Sequence, residues 1–579
     1  MRVLASISFA LLLIIFVCFS FELSGEKGTR PIKKGFEHEG HDDYLLTQPQ
    51  NQPRHFTGQK DTVSTLLASI PGVTAGRNVQ VNGPQDPHGL IARVEPAVAA
   101  SEGGQHMVAG WIHAQGLCGP PVGAPCKPPK RPGFIHFGFS TDAGHTWIDA
   151  GPPPALDHVF TWFDPWADRG GLDKNTFYLS TEALHDKTSD PLGLAVFRGH
   201  FAGTAFNWED VHVLPPPSSD DLYDRDVITM AKDGSGLGFV SVDNFIGECN
   251  QPSFGFGQIE VWRTDDGGER WHGPVVVSPD VTFITNPSNP NCGLTGVNQQ
   301  GAQPAIGPNG EVYVVWRWGP RFGLTSVSST KVQIRIARSL NFGRSFEPPV
   351  VVTAKEWLGF NPPAGYNRSD GLPDHPRIAV AMSGPHKGRV YVVFAVPTHA
   401  VKDAPEFPCP DPLTGSTCKG QTLASSQIFI SFSDDQATTW STPAPIAPAV
   451  PVSGVKRFWP AVSVDSNAHV NVAYYESNEA PVASNPICAI PIRQKFRYGA
   501  ANSLVDTFLV QSQNGGLSFG KPIRISTATS NWCTAYSDIG PNFGDYIGSI
   551  SVGSRVLTTW TDGRNGQPDI FFSGLTPQP

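Results

Sequence analysis

Apolar and polar residues alternate over short stretches along most of this chain. "FIHFGF" (Phe134 to Phe139), "QIEVWR" (Gln258 to Arg263), "VQIRIAR" (Val332 to Arg338), "QIFISF" (Gln427 to Phe432) and "DTFLVQ" (Asp506 to Gln511) are the clearest cases. A period of two over six or seven residues predicts half-buried strands. Each is followed by one turn pattern: "STDAGHTW" (Ser140 to Trp147), "TDDGGERW" (Thr264 to Trp271), "SLNFGRSF" (Ser339 to Phe346), "SDDQATTW" (Ser433 to Trp440) and "SQNGGLSF" (Ser512 to Phe519). Asp or Asn at the third position accepts N–H bonds in a turn and tolerates left-handed backbone. Gly at the fifth supplies positive φ, and Ala437 in the fourth copy predicts a slightly different turn there. The closing Trp or Phe offers a large apolar body to bury. All of these roles are structural.

A short strand such as "PVVVSP" or "PVVVT" follows the box, and two more strands precede the hairpin, the first like "PAIGP" or "PAVSVD" and the second like "EVYVVW" or "RVYVVF". Four antiparallel strands per unit make the blade of a β-propeller. The gap between the first two boxes is too long by about one unit, and "LAVFRGHFAGTAFNW" fills it with a decayed box at Gly203 and Phe206, preceded by "NTFYLST". After the last box only three strands remain, "GSISVG", "RVLTTWTDG" and "DIFFSG", while "NVQVNGP" (Asn78 to Pro84) is an orphan near the other end. The expectation is an all-β propeller of seven blades over residues 76–579, its ring closed by that N-terminal strand, which removes two exposed edges. Six blades is the alternative.

The box turn joins the third and fourth strands of a blade, so the long connections at 112–133, 244–257, 317–330, 395–426 and 476–503, with 279–302 and 354–375, fall on the opposite face. Long ordered loops are where function collects. The starts of the innermost strands ring the channel mouth there, with Arg93 and Glu95, Asp164, Asp224, Arg225 and Asp226, Gln303, Asp374, His375 and Arg377, Arg457 and Trp459, Asp545 and Tyr546. Second strands end at His113, Glu182, Asp243, Arg317, Tyr475, Glu476 and Asp562. Arginine can grip a carboxylate in two places, and paired carboxyls can cleave a glycosidic bond. Asp164, Asp226 and Asp545 could instead bind Ca²⁺, although no cofactor is required, or simply cap turns. Tyr475 and Glu476 are neighbours on one strand and cannot both face one ligand.

Composition supports the pattern. Sixty Gly, 54 Pro and only 16% charged residues suit many strands and tight turns rather than disorder or coiled coil. A net charge of −9 with no basic run leaves nucleic-acid binding without an electrostatic footprint. Arg2 followed by "VLASISFALLLIIFVCFSF" (Val3 to Phe21) makes residues 1–22 a secretory signal or, if uncleaved, a membrane anchor, and predicts a secreted or extracytoplasmic protein. Residues 23–75 are polar, without sustained periodicity, and read as a linker. "EHEGHDD" (Glu37 to Asp43) within it could grip a metal, but a solvated segment is the simpler reading. Without Cys18, eight cysteines remain: Cys118, Cys126, Cys249, Cys292, Cys409, Cys418, Cys488 and Cys533. An even number in an exported chain predicts disulfides, with sequential pairing the simplest of several connectivities.

The five boxes make the chain resemble the Asp-box (BNR-repeat) propellers, whose best-known members are the sialidases. That resemblance implies action on glycans. It implies an arginine triad, with Arg93, Arg377 and Arg457 as the candidates, Arg225 and Trp459 beside them as binding residues, and an acid/base such as Asp224 or Asp374. It further implies a tyrosine nucleophile, with Tyr475 and Tyr546 as candidates, and a partner glutamate, with Glu476 as the candidate. The Phe/Tyr-Arg-Ile-Pro motif that carries the first arginine of a sialidase reads "ARVEP" here, with Arg93 one residue out of register with Pro96. A sialidase-like glycoside hydrolase is therefore the leading expectation. A non-catalytic propeller binding glycan or protein is the second, and a polysaccharide lyase using Tyr or His with Arg (His113, His375, His399) is the third.

Overall fold

A computed structural model describes residues 73–74, 77–83, 91–115, 134–161, 163–186, 191–219, 221–246, 257–279, 283–286, 289–295, 297–320, 331–356, 375–399, 425–448, 455–478, 503–532, 535 and 543–577. The expected N-terminal signal and most of the expected linker lie outside them, as do Cys118, Cys126, Cys249, Cys409, Cys418, Cys488 and Cys533. Among the described residues there is no helix long and apolar enough to cross a membrane.

The described chain is all β, in antiparallel sheets laid out as a propeller. Ile91–Ala100, Met107–Gln115, Ile135–Ser140 and Ile148–Gly151 form one sheet in chain order. The next runs Trp166–Gly170, Thr176–His185, Pro191–Ala202 and Ala205–Leu214, with Val159–Thr161 as a second partner of Thr176–His185. Leu222–Met230 to His272–Val276 and Val297–Ile306 to Val350–Glu356 are four-stranded, and Phe283–Asn286 pairs with Asn289–Thr295 between them. Apart from that two-stranded pair, the separate sheets number fewer than the seven blades expected. Arg377–Val380 through Ser530–Asn531 is one nine-stranded sheet, because Ser426 pairs in parallel with Lys456 where a gap between blades was expected. The last sheet, Gly548–Val552 to Asp569–Pro577, takes Val79–Gln80 and Val73–Thr74 onto its outer strand. Asn82 ties the same segment to Asp569 at 3.1 Å, and Arg93 of the first sheet reaches Asp569 at 2.7 Å.

The five boxes share one hydrogen-bond pattern. The first-position hydroxyl donates to the third-position side chain at 2.8–2.9 Å. It also accepts the N–H of the fifth residue, at 3.0 Å from Gly144 and 2.9 Å from Ala437. The third-position oxygen accepts the N–H of the seventh. In the fourth copy the Thr439 hydroxyl and N–H hold Asp435 down at about 2. Ala437 keeps the common geometry at φ 64, which corrects the expectation of a different turn. The decayed copy is a plain two-residue hairpin at Gly203, with Phe206 buried among aromatic rings.

Box glycines are small because a ring of another sheet lies on them. A Cβ on Gly144 would sit 2.3 Å from Phe572 of the last sheet, and one on Gly343 would sit 2.2 Å from Phe239. Gly343→Ala is expected to lose about 2–5 kcal/mol, combining left-handed strain with overpacking. Gly203→Ala, whose Cβ meets nothing within 4 Å, should lose only about 1–2 kcal/mol from strain. Urea midpoints of the two variants compare them. Equal losses would show that the box glycine is conformational only.

Candidate functional site at the inner strand ends

The innermost strands begin with a bulge. Register slips between Val94 and Ala97, Asp224 and Val227, Gln300 and Gln303, and Phe458 and Ala461. At or beside these slips Glu95 (φ 58), Arg225 (φ 57), Gly301 (φ 73) and Trp459 (φ 46) are left-handed, and Asp164 (φ 53) and Gly544 (φ 77) match them in their own sheets. A bulge re-aims a side chain that a regular strand would hold on its pleat. Non-glycine residues in this region cost about 1–3 kcal/mol each and persist where the surroundings over-determine them.

The result is a buried carboxyl cluster. Glu95, Asp164 and Asp545 each bring an oxygen within 4.8 Å of the others, and so do Asp164, Glu182 and Asp224. Asp226 and Asp243 are buried beside them, and Arg225 is the cation among them. Arg225 Nη1 pairs with Asp545 Oδ2 and stands 4.0 Å from Asp164 Oδ1, whose other oxygen accepts the Arg225 N–H at 3.2 Å. Arg225 and Arg377 lie over the Tyr546 ring at 5.4 and 5.5 Å, and Arg377 lies 5.0 Å over Trp166.

Too many carboxyls share too little positive charge. Burial, then Asp545 and Asp164, push Glu95 well up against the pull of Arg225. Burial, Asp224 and Asp164 do the same to Glu182, which shares a hydrogen bond with Asp224. Burial also lifts Asp226, against the pull of the Ser180 hydroxyl. Burial and Asp224 push Asp243 up to about 8, although Gly301 and Ala302 N–H groups reach its oxygens at 2.6 and 3.2 Å. Burial works to strip Arg225 of its proton, but Asp545, Asp164 and Glu95 outweigh it.

These shifts fix a sign. The folded protein holds protons that the unfolded chain releases near pH 4, so the stability they contribute is complete below that and drains away as pH rises toward 8. The slope is about 1.4 kcal/mol per pH unit for each such group. Denaturant midpoints are therefore expected to fall between pH 5 and 8, and Asp243→Asn should flatten the fall. A midpoint that rises over that range would show the carboxyls ionised.

Arg93, Arg457 and Tyr475 have partners elsewhere, while Tyr546 stays at the cluster beneath Arg225. Arg93 is held by Asp569, and Arg457 by Glu476 at 2.7 Å, Gln427 at 2.9 Å and the Pro448 carbonyl at 2.8 Å. Arg93, Arg377 and Arg457 thus take separate partners. Tyr475 donates to the Thr561 carbonyl at 3.0 Å, accepts the Thr561 N–H at 2.8 Å, and packs with Phe458, Trp459 and Trp532. Tyr546 donates to the Pro165 carbonyl at 2.9 Å. Burial pushes both phenols well above their usual range. Tyr475 and Glu476 do part company, one toward Thr561 and the other toward Arg457. Asp374 lies outside the described residues; so does the side chain of Cys292, whose main chain forms part of Asn289–Thr295. Of the residues expected to ring the channel mouth, Arg93, Glu95, Asp164, Asp224, Arg225, Asp226, His375, Arg377, Arg457, Trp459, Asp545 and Tyr546 are buried and Gln303 is half-buried. Glu182 and Asp243, noted only as strand ends, belong to the cluster, and the acidic residue closing some of the second strands was the available signal.

No family model and no curated protein matches the chain. Among solved structures, it resembles a protein of unknown function from Dyadobacter fermentans at 14% identity, covering 88% of this chain and 100% of that one, TM-score 0.41. It resembles the GH93 α-L-arabinofuranosidase of Fusarium graminearum at 12% identity, covering 69% and 92%, TM-score 0.38. An ulvan lyase of polysaccharide lyase family 25 follows at 10% identity, covering 85% and 95%, TM-score 0.41. Likeness at this level speaks to no activity.

Proposed function

We propose that the protein is an exported, glycan-active propeller of the Asp-box kind and that it hydrolyses glycosides, with Asp224 as acid/base. The observation that carries this is the buried approach of Glu182 and Asp224 at the inner strand ends, their oxygens within 4.8 Å, with burial and Asp224 pushing Glu182 up. Sites of acid–base chemistry are where environments push neighbouring carboxyls apart. Asp224 has the greater solvent contact of the two, 6% against 1% for Glu182, so Asp224 meets the ligand and Glu182 positions its proton. Oxygens within 4.8 Å are closer than the about 5–5.5 Å of a retaining pair or the about 6.5–9.5 Å of an inverting pair. Asp164, Glu182 and Asp224 therefore act as one acid/base unit, and the second carboxyl comes from elsewhere on the loop face. Glu476, a quarter exposed beside Arg457, is the described candidate.

Seven blades remain the reading of the ring. Glu95, Asp164, Arg225, Gly301, Trp459 and Gly544 mark six inner strands, and His375 before Arg377–Val380 takes the seventh position. The nine-stranded sheet is then two blades bridged by one residue pair, and Val79–Gln80 closes the circle. Disulfides among the loop cysteines belong to the same reading.

A panel of chromogenic glycosides, sialosides included, tests the activity. Turnover abolished by Asp224→Asn supports it; no turnover on any of them, with glycan binding intact, overturns hydrolysis in favour of a binding propeller. Ca²⁺ is a second reading of the cluster, favoured by Asp164 Oδ1, which is buried and without a hydrogen-bond partner among the described residues. A cation would relieve the same charge that protons relieve. A midpoint raised by Ca²⁺ at pH 8, and not in Asp164→Asn, supports it.

A further inference from the structure

His158, His185 and Asp186 each bring one ligand atom within 4.8 Å of the others, at the end of the second sheet where Thr176–His185 finishes. Main chain builds the arrangement. Val159 pairs with His185 across the strands, and the Asp186 N–H donates to the His158 carbonyl at 3.1 Å. Both imidazoles present Nδ1 to one oxygen: His158 Nδ1 is 3.6 Å and His185 Nδ1 is 3.5 Å from Asp186 Oδ1. Those separations exceed the about 2.7–3.2 Å of a hydrogen bond. They are close to the roughly 3.3–3.4 Å between donors that stand about 2.0–2.1 Å from one tetrahedral zinc. The rings lie parallel, 7° apart in plane. His158 holds this position at φ 63, a left-handed conformation that a side chain pays for and that collects at ligand sites.

We propose that His158, His185 and Asp186 bind a divalent transition metal, zinc by chemistry. Two imidazoles and a carboxylate are the borderline ligand set that selects zinc over calcium or magnesium. Three protein ligands leave a fourth position, and the exposure of His158 (60%) and Asp186 (38%) opens it to solvent. His185 lies three residues beyond Glu182 on the strand Thr176–His185, and the proposal does not depend on the glycan reading.

The test is titration of the purified, metal-stripped protein with Co²⁺ read by visible absorption, then displacement by Zn²⁺ followed by calorimetry. One equivalent of Co²⁺ with the intense spectrum of a tetrahedral site is expected. His158→Ala and His185→Ala should each weaken Zn²⁺ binding at least about 100-fold, since even outer partners of metal ligands are worth 10–100-fold. Both positions retain solvent contact, so thermal melts of the variants should match the parent without metal. His38→Ala with His41→Ala, in the "EHEGHDD" stretch, should leave binding unchanged. Binding that survives both ring-to-alanine changes, or that is lost with His38 and His41, overturns the proposal. So does the weak spectrum of a six-coordinate ion.

Discussion

Arg225→Met is expected to destabilise the fold by about 3–5 kcal/mol, the usual cost of removing one partner from a buried ion pair. Arg225 is 5% exposed and stands between Asp545 and Asp164, with Glu95 close behind. Methionine can fill most of the volume and keeps contact with the Tyr546 ring, so the loss isolates the charge. The deficit should be larger at pH 8 than at pH 5. At the lower pH more of the cluster is protonated, and fewer charges are orphaned. Asp545→Asn in the Arg225→Met background should recover part of the loss, because it removes the carboxylate left without its cation. Denaturant midpoints of the four proteins at both pH values give the coupling. A loss under about 1 kcal/mol, or no coupling to Asp545, would mean that the cluster manages its charge without the guanidinium.

What the chain discloses without a structure depends on how local the physics is. The box is complete within seven residues. Ser140, Asp142, Gly144 and Thr146 bond to one another, so five copies can be recognised by eye. Even so, the hydroxyl at the first position does as much as the carboxylate at the third, and only coordinates show it. The strand-start residues were legible as a ring because each begins an apolar run. Their burial was not. Nothing in the letters says that Glu95, Asp164, Arg225 and Trp459 occupy left-handed backbone; Gly301 and Gly544 at the matching positions were the only hint. Partners far apart in the chain were equally hidden. Asp569 holds Arg93 from the other end of the chain, and Thr561 occupies the hydroxyl of Tyr475. Those two contacts turn candidate binding and catalytic residues into ties between sheets. The merging of two expected blades depends on one parallel pair, Ser426 with Lys456, at a spacing that no periodicity encodes.

Asp224→Asn is expected to reduce glycoside turnover by about 10²–10⁴-fold, the range that a positioned general acid or base supplies. Glu182→Gln should act differently. Glu182 is more deeply buried than Asp224, so on the proposed reading its loss removes a partner of Asp224 rather than the group that touches the sugar. In the Glu182→Gln variant, Asp224 loses the ionisable carboxyl that shares its hydrogen bond. The alkaline limb of the pH–rate profile, which reports protonated acid, should then move to lower pH while KM stays near the parent value. The two carboxyls titrate as a pair, so the limb belongs to both and not to Glu182 alone. A structural role for Glu182 makes another prediction: lower stability, lower activity at every pH and an unmoved limb. If Asp224→Asn keeps full turnover, the acid/base lies outside this cluster. The raised carboxyls would then be explained by the charge they bury, with protons or a cation serving the fold alone.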